Sequence, residues 1–367
     1  MILDPIFNKY KTVFTILDTI DIVEPNTSRI ILYLNLEFIL KVILTCDVNN
    51  KLLATENENE VKTSLISNII NLAQHYRWYF SKKGYDCHIY IYWNYQRNKY
   101  KNDQYIKGYR DYYNNKLYNT ASCKYITDNI ASCYKTLRLI IRYLNQVDLI
   151  DSSDIESSVI PYVLHENLYK NETKINHIII SNDKYDFQYT RYGFKVLVPS
   201  QDKTKVLTDK NVIEYLKDIN DVRNDVMIPA NYVSFVISLM GCKYRNIMKI
   251  AGIGLSTILK MVRTGINELI IGDNSTDIDS LSGIICEDYR ERFVKNYLCT
   301  DIEKQYQALS PLDIHKIVSQ KEDKYDDNAI DYINERYFQF CPIFVVKNHK
   351  SQVFQEDLNR KSIFDRK

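Results

Sequence analysis

"HIIISNDKYDFQYT", residues 177–190, carries three consecutive isoleucines that break into a short acidic turn. A short run of branched apolar residues bounded by turn formers reads as a buried strand. Asp183 and Asp186 follow it where the chain leaves the sheet. Carboxylates at such a place either hold a divalent ion in a cleft or finish the strand with a turn, and the surrounding pattern must decide.

Upstream, "RIILYLNLEFILKVIL" is long enough for one buried strand that continues into a helix, and "CHIYIYW" is a second strand. Between them, "EVKTSLISNIINLAQHYRWYF" has apolar residues at helical spacing and stops at the glycine of "SKKGYD". "NIASCYKTLRLIIRYLNQV" is amphipathic, and "DSSDIESSVIPYVLHENL" reads as a helix capped by Asp or Ser. Downstream, "GFKVLVPS" is a strand and "DKNVIEYL" a helix start. Strands alternating with helices predict an α/β fold, a mostly parallel sheet covered on both faces. From residue 229 the texture turns helical, "NYVSFVISLMGCKYRNIMKIAGIGLSTILKMVRTG", and 273–367 reads as a charged, helical C-terminal region. The expected division is therefore 1–228, 229–272 and 273–367.

Composition narrows the classes. The chain has 367 residues, 45% hydrophobic and 26% charged, enough for an ample core. Its 31 Tyr against 9 Gly and 7 Pro, with much Asn, Ile and Lys, is the residue usage of adenine- and thymine-rich codons. A net charge of +2 means that any nucleic-acid surface is a local patch. Eight scattered cysteines without a CxxC pair predict reduced thiols in a cytoplasmic compartment rather than a disulfide framework or zinc cluster. Neither a leader nor an 18-residue apolar run is read, so secretion and membrane spanning are not expected. The six histidines show no HxxxH or HExxH spacing, and "GDNSTDID" reads as a turn rather than a calcium loop.

Two features point to phosphate. In "AGIGLSTILKMV", Gly252 and Gly254 precede a helix that starts near Ser256. Glycines let the backbone bring bare N–H groups to a helix N-terminus, where an oxyanion is favoured, and Thr257, Lys260 and Arg263 follow in the next turns. In residues 95–125, Arg97, Lys99, Lys101, Lys107, Arg110 and Lys116 alternate with tyrosines. Cations for phosphates beside aromatic faces for bases suit a single strand.

With these motifs in this order, residues 29–270 resemble the flap endonuclease and phage 5′–3′ exonuclease family. Ser181, Asp183 and Gln188 match its acidic turn, S/T-x-D-x-D-x-x-Q. Gly241, Asn246, Ile247, Gly252, Ile253, Gly254 and Thr257 match its glycine hairpin. The resemblance implies a PIN-like core followed by a helix-3-turn-helix DNA clamp. It also implies DNA as partner, branched or at single-strand/duplex junctions, and a pair of Mg²⁺ ions about 4 Å apart for in-line displacement. Lys107 and Arg110 take the place of the arch residues that contact the target phosphate.

The acids depart from the pattern. Asn35 and Asn94 stand where the family has Asp, Ser153 and Tyr185 replace two more, and Cys242 and Arg245 replace the acids of the hairpin. Asp151, Asp154 and Asp183 remain, three of nine. Asp186 is one residue late for the second turn position, and on an extended strand it would face away. The expectation is a pseudonuclease of viral or phage DNA metabolism, in the host cytoplasm or the virion, that needs no cofactor. Two alternatives stand. One is an active nuclease with a reduced Mg²⁺ site built from Asp151, Asp154 and Asp183, assisted by Glu37, with Asp154 and Asp183 as the metal ligands; the other is an interaction protein on the same fold.

Overall fold

The computed structural model describes residues 23, 27–36, 66, 69, 70, 72, 73, 76, 77, 79–93, 134–142, 144, 146–152, 155–181, 183–198, 204–241, 247–268 and 277–320. Among the described residues six strands form one sheet: β1 (Arg29–Asn35), β2 (Asp86–Trp93), β3 (Val147–Asp151), β4 (Ile175–Ile180), β5 (Lys195–Val198) and β6 (Lys205–Leu207). Their order is β3-β2-β1-β4-β5-β6, parallel throughout except for the β5–β6 pair.

The apolar runs form the centre because both faces are covered. Along β1, Ile31 and Tyr33 join Tyr90, Tyr92 and Ile179 in one buried cluster, while Ile30, Leu32 and Leu34 are buried on the opposite face. That cluster includes residues from α1 (Ile160–Leu164), α2 (Val212–Asp218), α3 (Val233–Met240) and α4 (Leu255–Asn267). It also takes in α5 (Ile278–Gly283), α6 (Glu287–Thr300), α7 (Ile302–Gln307) and α8 (Pro311–Val318), through Leu281, Phe293, Tyr297, Ile302 and Ile317. The described part of the charged C-terminal region is thus helical and packs on the same core as the sheet.

Three local expectations are corrected. The sequence pattern ends one helix at Val147 and starts the next at Asp151 with 148–150 between them, yet "VDLID" forms edge strand β3, so Asp151 ends a strand instead of starting a helix. The helix after it begins at Ser157, preceded by Glu156 with no side-chain cap; Ser152 Oγ instead accepts from Ile155 N at 2.8 Å. After Ile180 the chain does not stay extended but coils into a 3₁₀ segment, Lys184–Tyr192. Strand alternation therefore does not apply to Asp186, which is fully buried within that segment.

The face holding Tyr33 also buries histidine. Tyr33 Oη lies 3.1 Å from His177 Nδ1, and the His165 and Phe194 rings are 4.9 and 4.8 Å from the His177 ring. Burial, then the neighbouring His165, pushes the His177 pKa down to about 3. Between pH 6.5 and 3 the unfolded chain takes this proton before the folded one does, so stability falls as pH falls through that window. The full loss is on the order of 5 kcal/mol. Urea unfolding at a series of pH values should show that decline. His177→Phe should be less stable at pH 7.5, where it strands the Tyr33 hydroxyl, yet decline less steeply below pH 6.5; parallel curves would refute the assignment.

Candidate nucleic-acid interface

The strand order reverses at β1: β2 and β3 lie to one side of it, β4 to the other. In open α/β sheets the crevice at the carboxyl ends of such strands is where ligands bind. Register places Asn35 at the end of β1, Asp151 opposite Trp93 at the ends of β3 and β2, and Ser181 and Asp183 just past β4. Sequence positions 35, 151 and 183 thus come to one edge of the sheet. Asn94, Ser153, Asp154, Cys242, Arg245 and Glu37 lie outside the described residues, as do Arg97, Lys99, Lys101, Lys107 and Arg110.

Each described acid at this edge has a protein partner. Asp151 Oδ2 accepts from the Tyr134 hydroxyl at 2.5 Å and lies 3.6 Å from the Arg138 guanidinium. Asp183 caps the 3₁₀ segment: its Oδ1 accepts from Tyr185 N at 3.0 Å, while its own N–H donates to Ser181 Oγ at 3.0 Å. Asn35 is 5% exposed and carries no charge. Tyr185 is fully buried, and its hydroxyl donates to the Cys299 carbonyl at 3.2 Å and accepts from Gln305 Nε2. Gln188 is also buried, donating to the Thr300 carbonyl at 2.9 Å and accepting from Ile302 N at 3.0 Å.

A pair of divalent ions needs several carboxylate oxygens aimed at one point. The described residues do not fit that need. A phenol and a guanidinium occupy Asp151, a backbone N–H occupies Asp183, and Asn35 offers only a neutral amide. Among the described residues no three His, Cys, Asp or Glu side chains come together to hold a metal ion.

The glycine hairpin is built differently. Helix α3 ends at Gly241, whose φ of +70° lies in the left-handed region. Gly252 turns the chain again at φ +75°, and Gly254 precedes α4 with an ordinary φ of −100°. Helix α4 buries Leu255, Ile258, Leu259 and Val262 and exposes Thr257, Lys260 and Arg263. That division is the amphipathic period of a surface helix. Its first N–H groups receive no side-chain cap from Gly254. Ser256 Oγ accepts from Asn224 Nδ2 at 3.1 Å, a contact the sequence did not foretell because 32 residues separate the pair.

No family model matches the chain, and no curated protein matches it by sequence. Among solved structures, the phage T5 D15 protein co-crystallised with metal ions aligns with a TM-score of 0.50 at 11% identity, covering 79% of this chain and 97% of that one. The fold is that of the T5 5′-exonuclease. A zinc-bound T5 5′-exonuclease scores 0.49 at 11% identity, with the same coverage. A pseudo-enzyme–product complex of the T5 D15 flap endonuclease with DNA and metal ions scores 0.42 at 12% identity, over 80% and 95% of the two chains. At such identity the likeness is one of fold, and it agrees with the PIN-like architecture expected of the sequence. Among the described residues no helix is long and apolar enough to cross a membrane.

Proposed function

We propose that the chain grips DNA by its backbone on a 5′-nuclease fold and has lost efficient two-metal hydrolysis. The observation that carries this reading is Gly254. Its φ is ordinary, and a Cβ built there would meet nothing within 4 Å, so the fold does not demand glycine at this position. A bare residue ahead of first-turn N–H groups that it does not cap leaves room for a phosphate, with the exposed Thr257 and Lys260 beside it. Asp151 and Asp183 support the loss of hydrolysis, since both are committed to protein partners.

In this reading residues 1–228 are the core, 229–272 a helix-3-turn-helix clamp, and 273–367 a C-terminal region. Gly252, Gly254, Ser256, Thr257 and Lys260 bind the duplex, while Arg97, Lys99, Lys101, Lys107 and Arg110 meet the single strand. The partner is a branched or junction DNA of viral or phage metabolism, met in the host cytoplasm or the virion.

Gly254→Ser is the decisive variant. Serine is a strong N-cap, so its hydroxyl takes a first-turn N–H and the variant should be as stable as the parent. The same hydroxyl occupies the space of the phosphate, so affinity for a labelled 5′-flap should fall about tenfold, the equivalent of one charge-assisted hydrogen bond. Unchanged affinity would remove the hairpin from the interface. The same flap incubated with Mg²⁺ or Mn²⁺ should stay intact, and metal-dependent cleavage that Asp183→Asn abolishes would overturn the claim of lost hydrolysis.

A further inference from the structure

Helices α7 and α8 differ in how firmly they are held. At the start of α7, Asp301 is 1% exposed and pairs with Arg191 at 2.8 Å, while Ser234 Oγ donates to the same carboxylate at 2.8 Å. Gln188 binds both sides of the same joint, and Tyr306 packs edge-on against Tyr162 at 5.2 Å. After Ala308–Ser310, α8 fully buries only Ile317, packs Ile314 and Val318 partly buried against the core, and leaves Leu312 63% exposed. Beyond α8, Gln320 reaches the end of β3, an edge strand. Asp151 N donates to Gln320 Oε1 at 2.8 Å, and Gln320 Nε2 donates to the Asp151 carbonyl at 2.6 Å. A side-chain amide here stands in for the peptide group of a neighbouring strand, covering one N–H and one C=O of the sheet edge.

We propose that α8 and Gln320 form a detachable strap over the Asp151 end of β3, opening about Ala308–Ser310 while α7 stays fixed. A buried ion pair, a bidentate glutamine and a ring contact hold the root. Among the described residues, two hydrogen bonds, the fully buried Ile317 and the partly buried Ile314 and Val318 hold the strap itself. Regions with few buried apolar contacts open locally at a fraction of the global stability. Opening frees the backbone of Asp151 beside Arg138, at the carboxyl edge of the sheet where ligands of such folds bind. The strap stands on these contacts alone; its consequence for DNA rests on the function proposed above.

Hydrogen exchange on the full chain, read by mass spectrometry with and without a labelled 5′-flap, tests it. Peptides spanning 311–320 should exchange well before those spanning 287–300. Gln320→Ala should speed exchange at 147–152 and 311–320 by about tenfold, the equivalent of two ordinary hydrogen bonds, and leave 287–300 unchanged. Exchange of 311–320 only in step with 287–300, or no change at 147–152 in the variant, would overturn the strap. If it gates the edge, Gln320→Ala also binds the flap several-fold more tightly than the parent. Flap binding by neither protein at low salt would refute the DNA reading while the exchange data still decide the strap.

Discussion

Asp301→Ala is expected to destabilise the protein by about 3–5 kcal/mol, the usual cost of removing one partner from a buried ion pair. Arg191 and Asp301 are 3% and 1% exposed and 2.8 Å apart. Burial works against charge on both groups. The pair outweighs it, holding the Asp301 carboxyl below the ordinary range and raising the Arg191 pKa. Asp301 also accepts from Ser234 Oγ and from Lys304 N at 3.0 Å, so three elements lose their common partner at once. With alanine, a guanidinium stays buried beside the Tyr192 ring, 4.6 Å away, with no carboxylate in direct contact except Glu303 at 3.9 Å. Because the folded pKa lies below the unfolded one, the contribution is complete above pH 4 or so and is lost as pH falls through the folded value. Thermal and urea unfolding at pH 7 would check the magnitude; a loss under about 1 kcal/mol would place the pair among weak surface bridges. Replacing both residues, Arg191→Met with Asp301→Leu, should recover most of the loss, since no uncompensated charge is then buried.

Gly241→Ala should be nearly as costly, for a steric reason. At φ +70° an L side chain is strained, and a Cβ there would lie 2.5 Å from Lys249 N and 2.6 Å from Ile247 O. These are backbone atoms and cannot rotate away. Strain of about 1–3 kcal/mol plus a comparable overpacking penalty predicts a total of about 3–5 kcal/mol. The damage is directional, because Ile250 N donates to the Leu239 carbonyl at 3.2 Å and ties the hairpin back to the end of α3. Gly241→Ala should therefore unfold at a markedly lower temperature. At a temperature where it is still folded, it should bind the 5′-flap less well than Gly254→Ser does. Wild-type unfolding by Gly241→Ala would show that the backbone at Ile247 and Lys249 gives way to the added methyl.

Much of the fold was legible because a parallel sheet buried on both faces writes itself as unbroken branched and aromatic runs. "IILYLN", "HIYIYW" and "INHIII" show that signal, and each became a strand. "VDLID" did not, because five residues with two acids, lying where one helical pattern ends and another begins, look like the link between two helices. What makes it a strand is pairing with β2, a contact some 60 residues away in sequence. Asp186 misled for the related reason that a period-2 argument holds only while the chain stays extended.

The candidate site divides in the same way. The chain alone determined which side chains exist to do chemistry: asparagine at 35, tyrosine at 185, glycines at 241, 252 and 254, a lysine and an arginine on the helix that follows. Those are facts of composition at a position, and no packing can restore a charge that the residue lacks. Only the tertiary structure decided what the remaining groups touch. Asp151 meets Tyr134 and Arg138, Asp183 caps its own turn, and Gln320 clasps an edge strand 169 residues away. Such partners are chosen by three-dimensional proximity, which burial of the sheet's two faces enforces and which spacing along the chain does not encode.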